Sequence, residues 1–390
     1  MGLLLFGGSD YLNKIQSVRP ENLVALWPQN EPSGGISTEI VRGYDGAYTG
    51  VTLGHPGVPG SGLTSAGYDG LTSFNNIYTA GFANDNLLSN PGFETAGGGD
   101  PDFWANWVEA VGSGTFANEV VIVHEGVDAM KFTGGVAAII TLYQDITVVA
   151  GLRYRLRFWT RGDGATDCNY GIRDMDAVEW VYGPAPTGVT AAAYEMIARE
   201  FTAPAGCTNI RIYFQNPWNG GTAYVDACEV RRMNGFLGDQ GTVIVPAQVA
   251  NVGVWTDATI RYLAYISANV NNRALIFRSN VANTIGFTYV AGGVTVTQAT
   301  AGLANLDFAI YGMTWDISAG ATGEVMYYID GVASGATDVG LGTWLGDLLN
   351  TQTVIGASST APVSVWHGDI GPVPVWSAAL TPDEMRYLGT

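Results

Sequence analysis

The sequence predicts an all-β protein of two jelly-roll-like β-sandwiches, one inserted in a loop of the other, and three observations carry that expectation. First, 53 of the 390 residues are glycine and 11% are aromatic, while only 13% are charged. Glycine supplies the positive φ of tight turns, and aromatic and β-branched side chains fill pleated, half-buried surfaces; a helical bundle would need far more Lys, Glu and Leu. Second, runs such as 153–160 (RYRLRFWT) alternate strictly, with Tyr154, Leu156 and Phe158 on one face and Arg155, Arg157 and Trp159 on the other. Third, the chain is too long for one sandwich of about 100 to 200 residues, and its texture changes near residue 86 and again near 233.

These changes divide the chain into an N-terminal arm at 1–19, an outer sandwich made of 20–85 and 234–390, and an inserted sandwich at 86–233. In the first outer piece, 22–27 (NLVALW) reads as a strand followed by a turn cluster at 31–35, and 46–53 and 67–77 continue the pattern. In the insert, 211–215 repeats the alternation of 153–160, setting Ile212 and Phe214 against Arg211, Tyr213 and Gln215, and 222–230 closes the segment. After 233 come strand candidates at 241–249, 259–267, 274–278, 284–290, 308–315 and 325–332, the last with Asp330-Gly331 at a hairpin tip. Thr381 can cap a short helix beginning at Pro382, with acids in its first turn.

Charge and motifs exclude several functions. A net charge of −18 argues against nucleic acid, which needs a basic face. No segment approaches the roughly 18 to 20 apolar residues that span a bilayer. The start, MGLLLFGGSDYLNK, lacks the basic region and the long apolar core of a signal peptide, so a place in a virion or outside the cell is expected without a recognisable export signal. Cys168, Cys207 and Cys228 form no metal-ligand spacing, and buried free thiols are expected. His55, His124 and His367 are scattered, and no nucleophile, metal or phosphate motif occurs. The chain is therefore expected not to be an enzyme.

The outer pieces resemble a laminin-G-like, concanavalin-A-type lectin domain. The resemblance rests on 22–27 with Asn30-Glu31, 46–48 and 68–70, and then on 328–331, 354–356, 366–370 and 376–384. It implies a two-sheet jelly roll that binds sugars or proteins. The insert resembles a family 4/9-type carbohydrate-binding module, through 86–94 (NLLSNPGFE), Trp104 and Trp107, the strand at 154–162, and 223–226. That resemblance implies glycan binding in a cleft on one sheet and a structural calcium, with Glu94 and Asp226 as the carboxylates at the metal.

A sugar site needs aromatic platforms and planar polar groups. The outward face of the middle sheet is expected to offer Trp159 and Tyr213 with Arg155, Arg157, Arg173, Arg211 and Gln215, an arrangement that would suit a carboxylated or sulfated glycan. Alternating arginine on a strand is equally what a solvated face or an ion-paired one carries. Trp180, Tyr182 and Trp218 could rim the same cleft, while Trp27, Trp315, Trp366 and Trp376 are expected in the core. The leading expectation is a glycan-binding or surface-display component of a phage virion, working as an oligomer or assembly component with glycans or cell-surface polysaccharide and other particle subunits as partners. The alternatives are a purely structural particle protein and an accessory domain of a glycan-degrading enzyme.

Overall fold

The computed structural model describes residues 10–77, 82, 84–99, 102–110, 114–135, 139–216, 220–233, 235–320, 324–335 and 338–390. The chain is all-β and divides into two compact units, one of residues 1–85 with 234–390 and one of residues 86–233.

In the outer unit, each of two large sheets draws strands from both chain segments. One has nine strands. His367–Ile370 lies there between Gln240–Val249 and Thr64–Asp69, and Leu23–Trp27 pairs with Val373–Trp376. The other has eight strands in the order Ile36–Ser37, Gly46–Thr49, Phe74–Asn76, Thr353–Ile355, Arg261–Asn269, Asn272–Arg278, Ile285–Ala291, Val294–Thr300. Neither segment can complete a sheet alone. Between these sheets sits an apolar core in which Trp27, Trp315 and Trp366 are at most 1% exposed. Their indole nitrogens donate to the carbonyls of Tyr44, Leu237 and Gln248 respectively, which removes the cost of burying a lone donor.

The structure refines several local readings. The run 46–53 is two strands, Gly46–Thr49 and Thr52–Pro56, and 67–77 is divided by a turn whose amides at Leu71, Thr72 and Ser73 donate to the Asp69 carboxylate. Asp330 and Gly331 have φ of 49° and 72°, the positive pair that a type I′ hairpin turn requires. The C-terminal helix Pro382–Leu388 begins with a capping box between Thr381 and Glu384. The expected N-terminal arm is corrected from Asp10 onward. There Asp10–Ser17 is a helix whose Tyr11, Leu12 and Ile15 are buried in a cluster with Trp376, Met385 and Leu388, because its apolar positions recur at helical spacing. The apolar part of that arm, 1–9, lies outside the described residues.

The inserted unit is a sandwich of two five-stranded sheets. The back sheet runs Thr115–Glu119, Ala129–Thr133, Thr222–Arg232, Arg153–Arg161, Glu195–Thr202, and the front sheet runs Glu179–Pro186, Asn169–Asp174, Asn209–Asn216, Ile140–Thr147, Val108–Ala110. Phe158 of the back sheet meets Phe214 of the front sheet at 4.9 Å between ring centroids, inside a core that also holds Trp104, Trp107 and the three cysteines. All three thiols are free and buried. The two ends of the unit lie side by side, since Asn86 Oδ1 accepts from Val230 N and Leu87 N donates to Val230 O. Such an arrangement lets a domain interrupt its host at small cost. Among the described residues no helix is long and apolar enough to cross a membrane.

Candidate functional site

Strand pairing corrects the expectation of a single outward face. Arg155, Arg157 and Trp159 project from the back sheet, whereas Arg173, Arg211, Tyr213 and Gln215 project from the front sheet. The two strands alternate alike, but alternation tells only which residues point away from a core, and outward from two opposed sheets means opposite directions.

On the front sheet three registers align. Tyr143, Tyr213 and Gly171 form one row, Asp145, Arg211 and Arg173 the next, and Thr141, Gln215 and Asn169 the third. Trp180, on the neighbouring strand opposite Arg173, lies across Gly171. A Cβ at Gly171 would sit 2.7 Å from Cζ3 of Trp180, so only glycine lets the indole lie down on the sheet. Trp180 is 41% exposed, and its ring centroid is 5.1 Å from that of Tyr213, which in turn is 5.7 Å from that of Tyr143. The result is a ridge, a row of three aromatic rings in which Trp180 is exposed, Tyr143 is partly exposed, and Tyr213, expected as an open platform, is buried, 7% exposed, between the other two.

The arginines of this face hold the ridge in place. Arg211 donates from Nε and Nη2 to both oxygens of Asp145, the latter at 2.7 Å, and its guanidinium carbon lies 3.9 Å from the Tyr143 ring centroid. The hydrogen bond to Asp145 pushes the Arg211 pKa further up. Arg173 donates to the Val178 carbonyl and stands 5.4 Å from the Trp180 ring. Gln215 Nε2 donates to Thr141 Oγ1 at 3.3 Å. Tyr182 turns away from the ridge, lying against Tyr170 with the Arg199 guanidinium 3.7 Å over its ring. Trp218 lies outside the described residues.

The back sheet presents a closed face. Arg157 is 2% exposed and forms an ion pair with Glu229 at 2.9 Å, and Arg231 donates to the other Glu229 oxygen. Arg155, opposite Arg231, is buried too. Trp159 is covered by the ring of His124, stacked at 3.9 Å, and Tyr194 fixes that cover by packing on His124 and donating to the Ile122 carbonyl. Burial, followed by the charge of Arg157, pushes the His124 imidazole down to about 4, so the covering ring is neutral at pH 7. The expected platform is thus closed: Arg155 and Arg157 are buried, and the partly exposed Trp159 has a face covered by His124.

Glu94 and Asp226 meet the same loop. Asp226 Oδ2 accepts from the amides of His124 and Glu125, and Glu94 Oε1 from those of Val127 and Asp128. Burial pushes the Asp226 carboxyl up to about 7 against the pull of those amides, and the charge of Glu94 adds to the rise. Burial and then the charge of Asp226 push Glu125 up to about 7 as well, and Glu125 Oε2 is a buried oxygen with no hydrogen-bond partner among the described residues. Glu94, Glu125 and Asp226 thus feel one another's charge around one loop, and Glu125 keeps an orphaned oxygen of the hard kind that a divalent cation takes. Among the described residues, the group of three acid or thiol ligand atoms lying within 4.8 Å of one another is a different one, Asp174, Asp176 and Cys207. There burial, and then the hydrogen bond with Asp174, raises the thiol to about 11, and the Asp176 carboxylate is taken up by Thr208 and Asn209.

Sequence reasoning missed Tyr143 and Asp145. The signal was present in 140–147 (ITLYQDIT), where Ile140, Leu142 and Ile146 alternate with Thr141, Tyr143 and Asp145.

Residues 85–221 match the family model of a carbohydrate binding domain, the family 4/9 type. Glu94 falls inside the matched stretch and Asp226 just beyond it. Among solved structures, the chain is similar to TmCBM61 in complex with β-1,4-galactotriose, at 20% identity over 38% of this chain and 98% of that one, with a TM-score of 0.30. It is similar to the CBM22-1 xylan-binding domain of Xyn10C from Paenibacillus barcinonensis, at 15% identity over 38% and 96%, with a TM-score of 0.31. It is also similar to the enzymatically active domain of tailspike protein 4 from bacteriophage CBA120, at 20% identity over 38% and 21%, with a TM-score of 0.29. A comparison with curated proteins gave no match.

Proposed function

We propose that the inserted unit is a non-catalytic glycan-binding module whose binding surface is the front sheet, with Trp180 and the partly exposed Tyr143 as the platform and the buried Tyr213 supporting both rings from between them. The observation that carries this reading is the aromatic ridge seated over Gly171 on the stretch that matches a carbohydrate binding domain. Sugar rings stack their apolar faces on such rings, while Gln215, Asn169 and Thr141 beside them offer amide and hydroxyl groups to sugar hydroxyls. Because Arg211 is engaged by Asp145 and Arg173 by a backbone carbonyl, the ligand class we assign is a neutral glycan chain rather than the anionic one the sequence suggested. A glycan array probed with the wild type and with Trp180→Ala tests the proposal. Binding lost in the variant supports it, and binding that survives at full strength moves the site elsewhere.

Calcium belongs to the same proposal. Glu94 and Asp226 would hold it beside Glu125, and the ion would supply the positive charge that lets these acids ionise together next to the 124–128 loop. Calcium is expected to raise the melting temperature by about 5 °C over chelator, and Glu94→Gln to remove that difference. We further propose that the outer unit displays this module in a particle, on the support of the lectin-like motifs from Asn22 to Glu384; sedimentation of the purified chain only as a monomer would count against that setting.

A further inference from the structure

The outer unit carries a groove of about 330 Å³ on the outward face of its eight-stranded sheet, bordered by the loop 350–360. Two registers build its floor. Thr49 faces Phe74 and Ala47 faces Asn76, so all four side chains emerge on one side, while Tyr48 packs toward the core and Asn75 is fully buried. Phe74 is anchored in a small apolar cluster with Val354, Tyr265 and Leu275. Asn350, Thr351 and Thr360 form the opposite wall, tied together by the Thr360 amide donating to the Thr351 carbonyl.

The composition of this lining is selective. In a chain with 35 acidic residues no charged side chain lines the groove. Thr49, Asn350, Thr351 and Thr360 line it with amide- and hydroxyl-bearing side chains, none of which is used in an internal hydrogen bond among the described residues. A phosphate or carboxylate ligand would find no cation here, and an apolar ligand would meet mostly polar walls. A ligand bearing many hydroxyls, each able to donate and accept, matches amides and threonine hydroxyls that do the same, beside the mostly buried Phe74.

We propose that this groove is a second saccharide site, taking a neutral pyranose unit or chain end, in the outer unit and independent of the front sheet of the insert. Two sites on one chain would bind a polysaccharide with an effective concentration set by the chain itself, strengthening attachment without any tighter single contact.

The test uses the full-length chain carrying Trp180→Ala with Tyr213→Ala, so that the front sheet is disabled, on an array of neutral gluco-, galacto-, manno- and xylo-oligosaccharides. The expected result is a residual signal on at least one glycan that falls tenfold or more in two further variants. One adds Asn350→Ala with Thr351→Ala, which removes polar groups. The other adds Ala47→Trp at an exposed position, which fills the groove and takes away no hydrogen bond. Melting curves identify any variant that fails to fold, and the other variant then decides. An absence of residual signal overturns the second site whatever the wild type binds, as does a residual signal unchanged in a folded groove variant. A wild-type signal lost with the front-sheet substitutions alone would leave the first site standing and remove the second.

Discussion

The two sheets of the insert begin from nearly the same outward composition and end with opposite roles. The back sheet presents Arg155, Arg157 and Trp159, and the front sheet Arg211, Tyr213 and Arg173. On the back, Glu229 lies between Arg157 and Arg231 and neutralises them in a buried place, and a loop lays His124 over a face of the partly exposed Trp159. On the front, Asp145 takes up the charge of Arg211, but a glycine on the adjacent strand leaves the indole flat and open. A tryptophan beside arginines becomes a surface or a filling according to what its neighbouring strands and loops contribute.

The comparison is sharpest in stability. Arg157→Ala leaves Glu229 in a buried place with half its compensation and is expected to cost about 3 kcal/mol, read by denaturant unfolding. Arg211→Ala opens a partly exposed pair and is expected to cost about 1 kcal/mol or less. Equal losses would break the distinction between a closed and an open face.

Binding comes next. Trp180→Ala is expected to weaken glycan binding by about 2 kcal/mol, roughly thirtyfold, with the melting temperature nearly unchanged. Trp159→Ala should do the reverse, lowering the melting temperature while titration calorimetry shows an affinity within about twofold of wild type. If Trp159→Ala abolishes binding and Trp180→Ala does not, the assignment of faces is inverted.

Gly171→Ala is a finer cut. The added methyl must lift the Trp180 ring, and a loss of about 1 kcal/mol in binding is expected, since the ring lies on an exposed surface with room to move. The smallest expected effect is that of salt. With Arg211 held by Asp145, raising sodium chloride from about 0.05 M to 0.5 M should change affinity less than about twofold. A steep decline would show that an arginine meets an anionic ligand after all.

Much of this was legible in the chain. The two boundaries of the insert follow from changes in strand texture, the indoles at Trp27, Trp315, Trp366 and Trp376 read as core, and both the Asp330-Gly331 tip and the Thr381 cap follow from local chemistry. The candidate site was legible only in parts. Tyr213, Arg211, Arg173 and Gln215 were identified as outward, yet they were joined to Trp159, which belongs to the opposite sheet. Tyr143 and Asp145 stand in a clearly alternating strand that carries no arginine to draw notice. Gly171 has no signal in the sequence at all, because its role is to be empty beneath a ring nine residues away.

The sequence by itself determined which residues turn inward and outward along each strand, since that period of two is a property of the local backbone. It also determined where the C-terminal helix begins and where the chain turns at Asp330-Gly331, through a cap and a positive φ pair that a few neighbouring residues impose. Only the tertiary structure decided which strands share a sheet, because pairing joins 140–147 to 209–216 across a long intervening chain and depends on register rather than on local preference. For the same reason only the tertiary structure decided which outward face stays open. Openness depends on a loop such as 120–128 arriving above one sheet, and on a glycine rather than a larger residue arriving beneath the indole on the other.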